Sequence, residues 1–64
     1  MEKKYPCKCC GEYTLKEENQ YYICPVCNWQ DDSLQFRKPD YKGGANRQSL
    51  NEARAEWKAG RRVL

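Results

Sequence analysis

The chain has 64 residues, a formal net charge of +3, five cysteines and no histidine. Its large aliphatic and Phe residues number eight: Leu15, Ile23, Val26, Leu34, Phe36, Leu50, Val63 and Leu64. That is too few to fold a domain of this size by burial alone, so a multidomain protein, a membrane span and a large enclosed active site are excluded, and a covalent or metal staple is required.

Five cysteines name the staple. An odd count leaves a thiol over in any disulfide framework, and Met1-Glu2-Lys3-Lys4-Tyr5-Pro6 carries no apolar signal core. The reading is a cytoplasmic chain in a reducing compartment, where clustered cysteines are metal ligands more often than disulfides.

In chain order, residues 1–36 hold every cysteine and read as a metal-binding ribbon of one single domain spanning 1–64. Tyr13 and Leu15 alternate weakly, Lys16-Glu17-Glu18-Asn19-Gln20 breaks the pattern, and Tyr21-Tyr22-Ile23 is aromatic and β-branched. This predicts strand–turn–strand, a hairpin between two cysteine pairs, with a third short strand near Trp29 or a turn in its place. Residues 37–48, with Pro39, Gly43 and Gly44, read as a long loop anchored by Tyr41. Ser49-Leu50-Asn51-Glu52 is a capping box opening a C-terminal helix within 49–62, with 50–59 its firmest part and Gly60 a stop. Leu50, Ala53 and Trp57 form its apolar stripe.

The cysteines pair as Cys7/Cys10 and Cys24/Cys27, each with two intervening residues, and 13 residues separate the pairs. Two intervening residues let the chain turn so that both thiolates face one ion about 2.3 Å away. The residue after each pair, Gly11 or Asn28, is of a type that tolerates positive φ. Four thiolates fill a tetrahedron and leave no position for water or substrate, so the expected ion is one structural Zn²⁺, with iron as the alternative. Cys9, with only one residue between it and Cys7, reads as a non-ligand, either a small apolar filler or a redox-sensitive thiol.

Tyr5-Pro6-Cys7-Lys8-Cys9-Cys10-Gly11, Thr14-Leu15, Cys24-Pro25-Val26-Cys27 and Trp29-Gln30-Asp31-Asp32 resemble the bacterial cysteine-rich CPCC family. Pro39-Asp40-Tyr41-Lys42-Gly43-Gly44-Ala45-Asn46 and Ser49-Leu50-Asn51-Glu52-Ala53-Arg54 extend the resemblance over nearly the whole chain. Lys8 stands where the family name has proline, and Gln30 where an acidic residue is expected. The hairpin or three short strands, the long loop and the one helix make a small α+β domain, and the resemblance implies a zinc-ribbon-like bacterial module with no established reaction; the two knuckles alone are also similar to rubredoxin-like iron sites that transfer electrons.

Other residues carry weaker expectations. Asp31 and Asp32, adjacent carboxylates without a His or Ser partner, read as loop caps or as partners of a helix arginine rather than as an acid/base pair. Arg54, Lys58, Arg61 and Arg62 form a cationic sector if the helix passes Gly60, a contact for nucleic acid or another partner. Residues 1–32 sum to −2 and residues 33–64 to +5. Tyr13, Tyr22, Trp29, Tyr41 and Trp57 are expected in the core; exposed together, they would mark a partner surface. Gly43-Gly44 lacks the lysine and spacing of a phosphate loop and reads as a turn. The sequence thus points to a non-catalytic zinc module that binds a protein, with nucleic acid or electron transfer as the alternatives. Oligomeric state is left open.

Overall fold

The computed structural model describes residues 3–63. Strand β1 (Tyr5–Pro6) runs antiparallel to β2 (Tyr13–Leu15), with Tyr5 opposite Leu15, Pro6 opposite Tyr13 and an irregularity between them. The strands therefore close around the first cysteine pair. Around the second pair, Ile23 bridges Gln30 antiparallel, flanked by hydrogen bonds from the Cys24 amide to the Trp29 carbonyl (2.9 Å) and from the Asp31 amide to the Tyr22 carbonyl (2.9 Å).

The small α+β class is as expected, but the strand pairing differs. Tyr13–Leu15 does not pair with Tyr21–Ile23; each segment pairs across its own knuckle. Each closure spans six residues, 7–12 and 24–29, and is fastened inside by a backbone hydrogen bond of the cysteine turn, from the Gly11 amide to the Cys7 carbonyl and from the Asn28 amide to the Cys24 carbonyl, in place of a turn over the polar run between Leu15 and Tyr21. That run instead takes bends, with Asn19 (φ 61°) and Tyr21 (φ 62°) left-handed. The third strand shrinks to the single bridge at Gln30.

A short helix that the sequence did not announce follows. In α1 (Ser33–Arg37), Asp32 is the N-cap, its Oδ1 accepting from the amides of Leu34 (2.8 Å) and Gln35 (3.4 Å). Five residues are too few for helical periodicity to show.

Helix α2 (Leu50–Lys58) has the capping box in full: the Ser49 amide donates to Glu52 Oε1 (3.0 Å) and the Glu52 amide to Ser49 Oγ (3.1 Å). It stops before Gly60, which is left-handed at φ 86°, so Arg61 and Arg62 lie beyond the helix and not on its surface.

The core gathers Cys7, Leu15, Cys24, Cys27, Trp29, Leu50, Ala53 and Val63, with Trp57 packed against it. Three cysteines and one indole thus share the interior with Leu15, Leu50, Ala53 and Val63. Of the aromatics expected inside, Tyr13, Tyr22 and Tyr41 are exposed. Strands this short have few inward positions, and Leu15 occupies the one next to Tyr13.

The loop 38–48 is fastened by amides, not by the Tyr41 ring. Gln35, fully buried, directs Nε2 at the carbonyls of Tyr41 (3.0 Å), Asn46 (3.2 Å) and Gln48 (3.0 Å). Asp32 Oδ2 accepts from the Ala45 amide at 2.9 Å. Asn46 pairs its side chain with both backbone groups of Gln30, at 2.8 Å each, and so caps the outer edge of the bridge strand. Gly44 is required by this approach: a Cβ there would lie 2.5 Å from Asp32 Oδ2 and 2.6 Å from Gln35 Cγ.

Candidate metal centre

The two cysteine pairs sit in knuckles with the same hydrogen bonds. In the first, the Cys7 amide donates to the Glu12 carbonyl (2.9 Å) and the Gly11 amide to the Cys7 carbonyl (2.9 Å). In the second, Cys24 donates to Trp29 (2.9 Å) and Asn28 to Cys24 (2.8 Å). Gly11 (φ 83°) and Asn28 (φ 74°) both take the left-handed conformation expected of them. Each knuckle curls its backbone amides toward its sulfurs: Glu12 toward Cys10, Val26 and Cys27 toward Cys24, and Trp29 toward Cys27.

The four sulfurs of Cys7, Cys10, Cys24 and Cys27 all lie within 4.8 Å of one another and could hold a metal ion. Cys7–Cys27 is 3.5 Å and Cys10–Cys24 is 3.7 Å. A regular tetrahedron with metal–sulfur bonds of about 2.3 Å has edges of about 3.8 Å, close to these two separations, so the donor set suits a four-thiolate ion. All five cysteines are free thiols. Cys7, Cys24 and Cys27 are buried and Cys10 is half-buried.

The environment splits the thiols. Burial pushes Cys10 up to about 11 from the ordinary 9.0, and also raises Cys27. Burial opposes ionisation of Cys24 too, but the Thr14 hydroxyl, the amides of Cys27 and Val26 and the Cys10 thiol outweigh it and bring Cys24 down to about 7. Thr14 Oγ1 donates to the Cys24 sulfur at 3.1 Å. Cys9 is half-buried beside Cys27, outside the group of four, and burial raises its thiol, which disfavours a preformed thiolate.

The two halves of the site are tied across the fold. Lys8, inside the first knuckle, reaches Asp31 beyond the second: Nζ lies 3.2 Å from Asp31 Oδ1, 3.4 Å from Glu18 Oε2 and 5.3 Å over the Phe36 ring. The Asn19 amide adds a 2.7 Å bond to Asp31 Oδ2. Asp31 thus pairs with a knuckle lysine, not with a helix arginine, and Asp32 caps α1. The chain after α2 returns to the second knuckle, where the Val63 amide donates to the Cys27 carbonyl and Asn28 Nδ2 to the Val63 carbonyl, both at 2.8 Å.

The cationic residues are dispersed. Arg54 Nε donates to the Lys8 carbonyl at 2.8 Å, Arg62 reaches the Pro25 carbonyl at 3.3 Å, and Arg61 pairs with Glu56. Lys58 is exposed on α2. Arg54 and Arg62 act as braces on the two knuckles, and the expected continuous sector does not form.

Sequence reasoning gave Thr14, Lys8 and Val63 no part in the metal centre. A threonine next to a strand leucine, a lysine in a turn and a valine past a helix carry no local mark of a distant partner.

Two short antiparallel closures, paired C-x2-C knuckles and one packed helix define a small α+β metal-binding module of the zinc-ribbon type. The chain belongs to the cysteine-rich CPCC family, whose pattern matches residues 5–60. No curated protein matches the sequence. No helix among the described residues is long and apolar enough to cross a membrane.

Proposed function

We propose that this is a non-catalytic module in which Cys7, Cys10, Cys24 and Cys27 hold one structural Zn²⁺, and which acts by binding another protein. The observation that carries the metal reading is the closed, largely buried four-sulfur cluster. Four thiolates complete a tetrahedral shell and leave no position at which water or substrate could be activated. A site of this kind is worth about 10–16 kcal/mol of apparent binding free energy, which offsets the thin aliphatic core.

The partner reading rests on the surface. Tyr21, Tyr22, Ile23 and Val26 are all exposed on the segment leading into and through the second knuckle. Large apolar side chains concentrated in one stretch are costly to leave in water and favour a macromolecular contact. A nucleic-acid partner is less well supported, because Arg54, Arg61 and Arg62 are committed to internal bonds. Cytoplasmic residence fits five free thiols.

Iron in the same four thiolates is the alternative, and colour separates the two: iron–thiolate sites absorb in the visible and change oxidation state, while zinc does neither. Elemental analysis joined to capture of partners from native cell extract tests both halves of the proposal. Zinc and a captured protein are the expected result. Iron, or capture of nucleic acid alone, would contradict it.

A further inference from the structure

Backbone amides lie against the knuckle sulfurs, that of Glu12 against Cys10 and that of Trp29 against Cys27. Cys24 faces the amides of Val26 and Cys27 and also the Thr14 hydroxyl, at 3.1 Å from its sulfur. The amides come with the knuckle turn whatever side chains it carries. The hydroxyl does not: it requires a Ser or Thr at position 14, held on β2 and reaching across from the first hairpin to the second knuckle. Cys24 is fully buried, so water cannot take the place of that donor.

We propose that Thr14 is a positioning residue for the metal centre: its hydroxyl fixes the Cys24 thiolate and withdraws charge from that sulfur, strengthening retention of the ion. The proposal rests on the four-cysteine metal reading above. A hydrogen bond to an ionised acceptor is stronger than one between neutral groups. Partners that orient a metal ligand from outside the coordination shell typically change metal affinity by about 10–100-fold. Thr14 also joins the two halves of the cluster, so it orients Cys24 relative to Cys7 and Cys10, which belong to the other knuckle.

The test uses the full chain loaded with zinc or with cobalt(II), comparing wild type with Thr14→Val and Thr14→Ser. Valine keeps the shape and the strand preference and removes only the donor; serine restores it. Zinc affinity measured against a competing chelator should fall by about tenfold or more in Thr14→Val and recover in Thr14→Ser. The thiolate-to-cobalt charge-transfer band should move to lower energy in Thr14→Val alone, since a sulfur relieved of its donor gives up charge more easily. A merely structural role would not move that band. An unshifted band, or a Thr14→Val chain that retains zinc as wild type does, overturns the proposal. Wild-type chain that binds neither metal would contradict the four-cysteine reading instead, so the two failures are distinguishable.

Discussion

Gln35 and Asn46, eleven residues apart, are locked together from both sides of one amide: Gln35 Oε1 accepts from the Asn46 backbone amide at 3.1 Å and from its Nδ2 at 2.8 Å, and Gln35 Nε2 donates to the Asn46 carbonyl at 3.2 Å. Through this contact a five-residue helix organises the whole loop between α1 and α2. The protein has a second, polar core beside its sulfur core, and the loop is ordered by hydrogen bonds where apolar side chains are lacking.

Replacing Gln35 with Leu should therefore cost at least about 2 kcal/mol, because it strands buried carbonyls and an Asn amide that are worth roughly 1–3 kcal/mol each when unsatisfied. Urea unfolding of the metal-loaded chain measures the loss, and the metal should stay bound until unfolding. A Gln35→Leu variant as stable as wild type would show that the loop is held by something else.

The Lys8–Asp31 pair gives a separate expectation. Asp31 is fully buried, and the Lys8 ammonium is nearly so. Removing one partner of a buried pair costs about 3–5 kcal/mol when the other charge is left uncompensated, and the exposed Glu18 beside Lys8 offsets only part of that loss. Asp31→Ala should thus destabilise far more than Lys42→Ala, which breaks the exposed Lys42–Glu52 pair; equal effects in thermal unfolding would refute the linkage of the two knuckles through Lys8.

Acidity should act through the ligands. Burial raises the Cys10 thiol to about 11 from 9.0, and raises Cys27 as well. Metal binding requires thiolates, so protons compete with the ion for these sulfurs and affinity falls as pH falls. Chelator competition between about pH 8 and about pH 6 should show affinity dropping by more than about tenfold per pH unit; a flat profile would argue against thiolate ligation.

The exposed stretch before the second knuckle is the proposed contact. Tyr22→Ala with Ile23→Ser should leave stability within about 0.5 kcal/mol of wild type, as surface changes do, yet abolish partner capture from cell extract. Capture that survives this double change but is lost on raising salt or in Lys58→Ala would point to a polyanion instead.

The metal-binding half of this molecule was legible in the sequence because knuckle geometry is local. The spacing of Cys7/Cys10 and Cys24/Cys27, and the left-handed tolerance of Gly11 and Asn28, are set within five residues. The capping box at Ser49 and Glu52 is local in the same way. What escaped the sequence depends on distance. Gln35 meets Asn46, Lys8 meets Asp31 and Thr14 meets Cys24 only after the chain has folded, and none carries a periodic signal. The strand pairing was misplaced for a related reason: hydrophobic alternation shows that Tyr13–Leu15 is extended but not which neighbour it joins. The exposed Tyr13, Tyr22 and Tyr41 show that aromatic content alone does not identify a core when sulfur and Trp29 already fill it.

The central claim is a single structural zinc ion held by four cysteines, and metal content measured on acid-denatured protein purified without added metal tests it most directly. The account predicts about one zinc per chain, colourless protein, and loss of that zinc together with the fold in Cys24→Ser. Protein that is folded and metal-free, or that carries iron with visible absorbance, would contradict it.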